Sequence, residues 1–148
     1  MEAGTAKKLW DIWQQREIPV VFRREKGRLL ISLPDDPDNR SWLRAGRRNR
    51  PNWNPEYQCW ETPKAWLDDL ARRTLARHRR LYMIQPYREW VRCAPNCLTA
   101  TRWKCVCSCM GEFHGMGSAA GQWRTVSDAF ATSWREQAVA CRLVEGRA

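Results

Sequence analysis

Residues 63–85, PKAWLDDLARRTLARHRRLYMIQ, contain the clearest change from helical to extended patterning in the chain. Apolar positions with a helical period predict one long helix over about 63–80, with Thr62 as its N-cap and Pro63 at its first position. The next five residues, 81–85, form an apolar run that stops at Pro86 and predicts a strand. One face of the helix collects the residues expected to pack on a sheet, with His78 as a boundary residue: Leu67, Leu70, Ala71, Thr74 and Leu75.

Other segments add strands and short helices around this pair. Two segments, 18–22 and 28–33, are predicted to be strands, and the turn at Gly27 between them predicts a hairpin. We also expect a short amphipathic helix over 5–15, a second over 41–45 that Asp38 or Asn39 caps and Gly46 ends, and a strand over 57–61. Strands are predicted over 87–92, 123–126, 130–134 and 138–144, with helix as the competing prediction for 128–137. The fold class is therefore α+β: a small antiparallel sheet, one long packed helix and a metal-stapled loop module.

A dense group of potential metal ligands lies between these parts of the chain. Five of the seven cysteines fall in a window of 22 residues that ends with a histidine: Cys93, Cys97, Cys105, Cys107, Cys109 and His114. Thiolates and imidazole are the ligands that hold structural zinc, and such a site needs four of them. We therefore predict a structural zinc bound by four of these six residues.

The spacing leaves the ligand set open. In a straight strand Cys105, Cys107 and Cys109 would span about 13 Å, too far for three ligands of one ion. Either the segment turns, one cysteine is spare, or two metals share ligands; the expected site uses Cys93 and Cys97 plus two others. An iron–sulfur cluster and a set of buried thiols are the alternatives. Thiolate dominance favours a structural over a catalytic role.

The charge balance indicates a polyanionic partner. The formal net charge is +10 with a pI near 9.8, and 21 of the 26 basic residues are arginine. Arginine binds phosphate bidentately and stacks on bases, so the excess suits nucleic acid. Most of the ten tryptophans are expected to pack in the core, and an arginine stripe on the helix is alternatively a solvated face. The candidate nucleic-acid contacts are Arg40, Arg44, Arg47, Arg48, Arg50, Arg73, Arg77, Arg80, Trp42 and Trp53.

Two resemblances extend this interpretation. Residues 52–63, with Trp53, Trp60 and Pro63, and the helix that follows them resemble the strand-and-helix unit of HARP-type domains of annealing helicases, which engage branched or single-stranded DNA. That resemblance makes these three residues framework positions. The longer pattern IQPYRE at 84–89 and CVCSCMGEFHG at 105–115 resembles small uncharacterised proteins of phages and mobile elements. It implies a phage or mobile-element context and no defined activity.

Other function classes find less support. The carboxylates are scattered or paired as Asp35–Asp36 and Asp68–Asp69, and neither histidine has an evident catalytic partner, so an enzyme is not expected. No signal-type segment or membrane-length apolar run is seen, which predicts a cytoplasmic protein of a bacterial or infected host cell, without a membrane or small-molecule partner. Clustered cysteines in that compartment indicate metal rather than disulfides.

We therefore expect a non-enzymatic, zinc-stabilised, basic accessory protein that binds nucleic acid, with DNA favoured. The alternative is a phage-type protein that binds an acidic surface of a host complex, such as a defence system or polymerase, and inhibits or redirects it. Residues 1–92 would form a basic α+β region, 93–118 the metal module, and 119–148 the strands that complete one compact domain.

Overall fold

The computed structural model describes residues 3–24, 26–87, 123–125, 130–134 and 137–146. Within these ranges the helices are α1 (Ala3–Gln14), α2 (Asn39–Arg44) and α3 (Leu67–His78), and a single 3-10 turn, Lys64–Trp66, leads into α3. The strands are β1 (Val20–Phe22), β2 (Leu29–Ser32), β3 (Asn52–Asn54), β4 (Cys59–Thr62), β5 (Arg80–Pro86), β6 (Trp123–Thr125), β7 (Phe130–Trp134) and β8 (Gln137–Gly146).

All eight strands join one sheet in the order β3-β4-β2-β1-β5-β8-β6, and β7 pairs with β8 beside β6. The α+β class is confirmed, but the predicted small antiparallel sheet is wrong. The sheet is larger, and it is mixed because β1 and β5 are parallel, with Val21 opposite Met83. The parallel pair arises because α3 carries the chain back from the end of β4 to the opposite end of the sheet, where β5 begins.

Both faces of the sheet are covered. Alternate residues of each strand point to opposite faces, and Val21 packs with α2 and α3 whereas Val20 and Phe22 pack with α1. The face covered by α2 and α3 will be called the α3 face, and the other the α1 face. Burial on both sides explains why 20–22 and 29–31 are continuous apolar runs rather than alternating ones.

The helix predicted over 63–80 begins differently. Pro63 has φ −59° and ψ 142°, which is extended, so it precedes the helix instead of occupying its first position. Its carbonyl accepts a hydrogen bond from the Trp66 N–H at 3.1 Å, and α3 proper starts only at Leu67. Thr62 is buried in β4 and is not the N-cap. The predicted core face is confirmed, because Leu67, Leu70, Ala71, Thr74 and Leu75 are all buried.

The remaining elements confirm most predicted segments and correct some. The hairpin forms as expected, with Gly27 at φ 94°. The short helix α2 ends at Ala45 in the left-handed conformation, one residue before Gly46, and Asp38 precedes it without a side-chain cap bond. Strands, not the competing helix, are found at 130–134 and from Gln137 onward. The predicted strand over 87–92, beyond Tyr87, and the 93–118 module lie outside the described residues.

Candidate nucleic-acid interface

One aromatic side chain stands out at the outer edge of the sheet. Trp53 lies at the centre of β3, the first strand in the sheet order, and is 48% exposed. Its register partner on β4 is Trp60, and their rings meet edge to face with centroids 5.2 Å apart. Trp60 packs against the α3-face core, so it fixes Trp53 from behind and leaves part of the Trp53 ring open to solvent.

Three exposed arginines accompany this pair. The Arg40 guanidinium, from α2, lies 5.8 Å from the Trp60 ring centroid, and Arg48 and Arg50 lie in the connection that enters β3. Among the described residues, neither Arg48 nor Arg50 forms an ion pair or a hydrogen bond through its side chain. We name Arg40, Arg48, Arg50, Trp53 and Trp60 the basic edge, since together they present cations around an accessible indole.

Trp42, the other tryptophan among the predicted contacts, has a different environment. The guanidinium groups of Arg73 and Arg77 each lie 5.0 Å from its ring centroid, and His78 meets it edge-on at 6.2 Å. It also packs against the α3-face core. Because its surroundings are filled by side chains of α3, Trp42 joins α2 to α3 and leaves Trp53 as the stacking candidate.

Asp69 binds three arginines, two from α3 and one from the loop after α2. Its carboxylate accepts hydrogen bonds from Arg47 at 2.6 Å, Arg72 at 2.5 Å and Arg73 at 2.9 Å. Burial by itself would raise the pKa of Asp69, but the hydrogen bonds and charges of Arg73 and Arg47 outweigh it and hold the pKa below its usual value. Arg73 also donates to the carbonyls of Trp42 and Leu43 at 2.6 and 3.1 Å, which satisfies the end of α2.

The other predicted arginines are also held by described residues. Arg77 pairs with Asp36 at 2.9 Å, Arg80 with Glu145 at 3.4 Å, and Arg44 donates to the Arg47 carbonyl at 2.7 Å. The ten predicted contacts therefore divide into two groups. Six are engaged within the fold, whereas four lie on the basic edge: Arg40, Arg48, Arg50 and Trp53.

Trp60 was missing from the predicted contacts, although the sequence contained a signal for it. It is the tryptophan of the W-x-x-P segment at 60–63, but only the β3–β4 register shows that it supports Trp53. The two cysteines outside the cluster, Cys59 and Cys141, are buried in the core: burial raises the pKa of both to about 12, so both are neutral thiols.

His78 is the histidine that the described residues contain. Burial is the main cause that lowers the pKa of His78, and the charge of the adjacent Arg77 lowers it further. The charge of Asp36 acts in the opposite direction and raises this pKa. Its Nε2 is buried without a hydrogen-bond partner in the described part of the chain. A neutral ring against Trp42 fits the predicted boundary role.

In the described ranges, no three or more His, Cys, Asp or Glu side chains are grouped so that they could hold a metal ion. The six predicted ligands, Cys93, Cys97, Cys105, Cys107, Cys109 and His114, lie outside those ranges, so the metal site stays a prediction. Nor does any helix there have the length and apolarity needed to cross a bilayer.

Comparison with known proteins assigns the chain to no family. No protein-family model matches the chain, and no curated protein or solved structure shows significant similarity to it. The resemblances to HARP-type domains and to phage proteins therefore stay predictions, and function is argued from the geometry of this chain.

Proposed function

We propose that this protein is a non-enzymatic, zinc-stabilised nucleic-acid-binding accessory protein that takes an unpaired base at its basic edge. The observation that supports this most is the half-exposed Trp53, held edge-on by Trp60 and accompanied by Arg48 and Arg50, which form no ion pair with a described residue. An indole fixed in this way needs no reorganisation to stack on a base. Base–aromatic stacking contributes about 1–3 kcal/mol per base.

Single-stranded nucleic acid fits this site better than a duplex. The faces of bases in a duplex are covered by their stacked neighbours, whereas an unpaired base exposes a face that one tryptophan can contact. Arg48, Arg50 and Arg40 would neutralise the flanking phosphates, which gives affinity without sequence preference. DNA is the expected polymer, as the HARP resemblance implies, and the cell compartment is the cytoplasm.

Zinc enters this proposal as a structural component. Four ligands from Cys93, Cys97, Cys105, Cys107, Cys109 and His114 would staple residues 93–118, which begin six residues after Tyr87 in the chain. Binding of a structural zinc contributes directly to folding free energy. Its presence is tested by elemental analysis of the purified protein, where zinc supports the site and iron would favour a cluster.

Replacement of Trp53 tests the proposed interface. Trp53→Ala should weaken binding of a fluorescently labelled single-stranded DNA octamer about 5- to 150-fold, from the loss of one stacked base. Trp10→Ala is the matched control, because Trp10 is 40% exposed and rests edge-on against Trp134, yet lies on α1 at the other face. Anisotropy titrations at several salt concentrations give both affinity and the number of phosphates contacted.

The binding titrations have three informative outcomes for the proposed function. Selective weakening by Trp53→Ala, with duplex DNA bound less well than the single strand, is the expected result. Equal weakening by both tryptophan variants would contradict the assignment of the edge. A wild-type protein that binds no DNA or RNA octamer at low salt would refute the proposed function.

The same features also fit a protein partner. Exposed tryptophan and arginine are the residue types that dominate binding energy in protein interfaces, and β3 is an edge strand with one side unpaired within the described sheet. The second proposal is therefore a phage-type protein that inhibits or redirects a host complex through an acidic surface. A host partner whose capture survives nuclease treatment and is lost in Trp53→Ala would support it over the first.

A further inference from the structure

The strand that carries Trp53 has few backbone contacts within the sheet. β3 lies at the end of the sheet order, and among the described strands its partner is β4, over the three residues Asn52–Asn54. Pro51 directly precedes this strand and Pro55 directly follows it. Because proline has no N–H to donate, neither proline adds a donor to the ladder. A short edge strand of this kind depends on side-chain contacts to keep its position.

Asn54 provides two such contacts. Its Oδ1 accepts a hydrogen bond from the backbone N–H of Tyr57 at 2.9 Å, inside the turn that joins β3 to β4. Its Nδ2 donates to Glu61 Oε2 at 2.6 Å. The second contact runs diagonally across the ladder, because the register partner of Asn54 is Cys59, two residues before Glu61. The side chain of Asn54 thus joins β3, the turn and β4.

The two partners fix the orientation of the Asn54 amide. A backbone N–H only donates and a carboxylate oxygen only accepts. Exchange of the amide oxygen and nitrogen would therefore place two donors together at Tyr57 and two acceptors together at Glu61. Alanine at this position would lose both contacts, so the pair of hydrogen bonds is specific to the asparagine amide.

Trp53 lies on the opposite side of the sheet from these contacts. Side chains alternate along a strand, and Trp53 shares the α3 face with its register partner Trp60. Asn54 shares the α1 face with Cys59, which belongs to the core on that side. Asn54 therefore acts on the Trp53 ring through the backbone of β3 and not through contact with whatever stacks on the ring.

We propose that Asn54 is a positioning residue for the basic edge: it holds β3 in register with β4 and so places the Trp53 indole where a base stacks, without contacting the bound strand. The identity of the ligand rests on the proposed function. An indole that is already in place binds more tightly, because ordering a mobile one on binding costs conformational entropy. Loss of the Asn54 contacts should therefore weaken stacking and leave the phosphate contacts of Arg48 and Arg50 intact.

Binding titrations with the DNA octamer test this role. Asn54→Ala should weaken binding several-fold, by less than Trp53→Ala does, and leave the slope of log affinity against log salt unchanged, because no phosphate contact is lost. In the Trp53→Ala background, Asn54→Ala should have no further effect, since two changes that act through one contact are not additive. The matched control is Asn52→Ala, on the same strand and face, whose side chain forms no hydrogen bond with a described residue.

An exchange of the two partners tests the hydrogen bond itself. Asn54→Asp/Glu61→Gln reverses donor and acceptor across the ladder and keeps the side-chain lengths and the net charge. Its octamer affinity should equal that of the wild type and exceed that of Asn54→Ala, which has the same net charge. An exchange variant that binds as weakly as Asn54→Ala would overturn the role of this contact.

Hydrogen exchange measures the positioning without a ligand. Backbone amides of residues 52–62 should exchange faster in Asn54→Ala than in the wild type or Asn52→Ala, while amides of α3 stay unchanged. Faster exchange throughout the described chain would assign Asn54 to general stability and overturn the positioning role.

The remaining outcomes distinguish this role from the proposed function. Wild-type affinity in Asn54→Ala, or equal weakening by Asn54→Ala with and without Trp53, would overturn the positioning role, and the proposed function would still stand if Trp53→Ala weakens binding. A wild type that binds no oligonucleotide refutes the proposed function. The exchange of residues 52–62 then tests Asn54 alone, and exchange rates in Asn54→Ala equal to those of the wild type would overturn its role.

Discussion

The carboxylate of Asp69 is predicted to be the main electrostatic connection between α2, its following loop and α3. Asp69→Asn keeps the shape of the side chain and removes the charge that Arg47, Arg72 and Arg73 share. Asparagine retains one acceptor oxygen, but its amide group faces cations that donate and cannot accept. The substitution therefore measures the effect of the charge on stability separately from the effect of packing.

The magnitude follows from how exposed each partner is. Arg72 is 63% exposed, and such a pair contributes almost nothing. Arg47 is 32% and Arg73 18% exposed, and both donate to Asp69 at hydrogen-bond distance. Partly buried hydrogen bonds to a charged group contribute about 1.5–3 kcal/mol, reduced here because Arg73 keeps its bonds to the Trp42 and Leu43 carbonyls. We expect a loss of about 2 kcal/mol, or roughly 4–8 °C in thermal midpoint for a chain of this size.

Urea denaturation at neutral pH measures this loss directly. The control is Asp68→Asn, which removes the neighbouring charge in the same first turn of α3; Asp68 itself forms no ion pair with a described residue. Because the pKa of Asp69 is lowered in the fold, its contribution is present above the unfolded value of 3.8 and is lost as pH falls through the folded pKa. The wild type should therefore lose more stability on acidification than Asp69→Asn does. Equal stabilities of the two asparagine variants would refute the reasoning.

The remaining predictions concern His78 and the cysteines. The pKa of His78 is lowered in the fold, so its neutral form stabilises the protein above about pH 6.5, and that stability is lost as pH falls through the folded pKa. The thermal midpoint should therefore drop less between pH 7.5 and pH 5 in His78→Gln than in the wild type. Cys97→Ser should lower both bound zinc and the thermal midpoint, because a structural metal adds its binding free energy to folding. The control Cys141→Ala, in the buried core, should leave the zinc content unchanged. An unaltered midpoint and zinc content in Cys97→Ser would remove Cys97 from the ligand set.

Local patterns predicted the elements better than their arrangement. The helical period over 67–78 and the apolar runs at 20–22 and 29–31 act over a few residues, and all three segments form as expected. The parallel pairing of Val21 with Met83 joins residues more than sixty positions apart, and no local signal specifies it. β3 was missed for a related reason: Asn52, Trp53 and Asn54 lie between two prolines, and they become a strand because Trp53 packs on Trp60 across the ladder.

The arginines show most clearly where sequence reasoning reaches its limit. Helical spacing placed Arg73 and Arg77 off the core face of α3, which is correct, yet both are engaged by Trp42 and by acceptors that come from segments more than thirty residues away. Whether an arginine is available depends on the acids that the fold brings near it, and spacing within one helix cannot reveal them.

Composition along the chain nevertheless contains part of this information. Residues 40–55 include five arginines and no aspartate or glutamate, whereas α3 carries Asp68 and Asp69 in its first turn. Within the acid-free stretch, Arg47 pairs with the distant carboxylate of Asp69, while Arg48 and Arg50 form no ion pair with a described residue. A basic segment without acids of its own must obtain its counterions from elsewhere in the fold or from a partner. For Arg48 and Arg50 the described fold does not provide them, and the phosphates of a bound strand would.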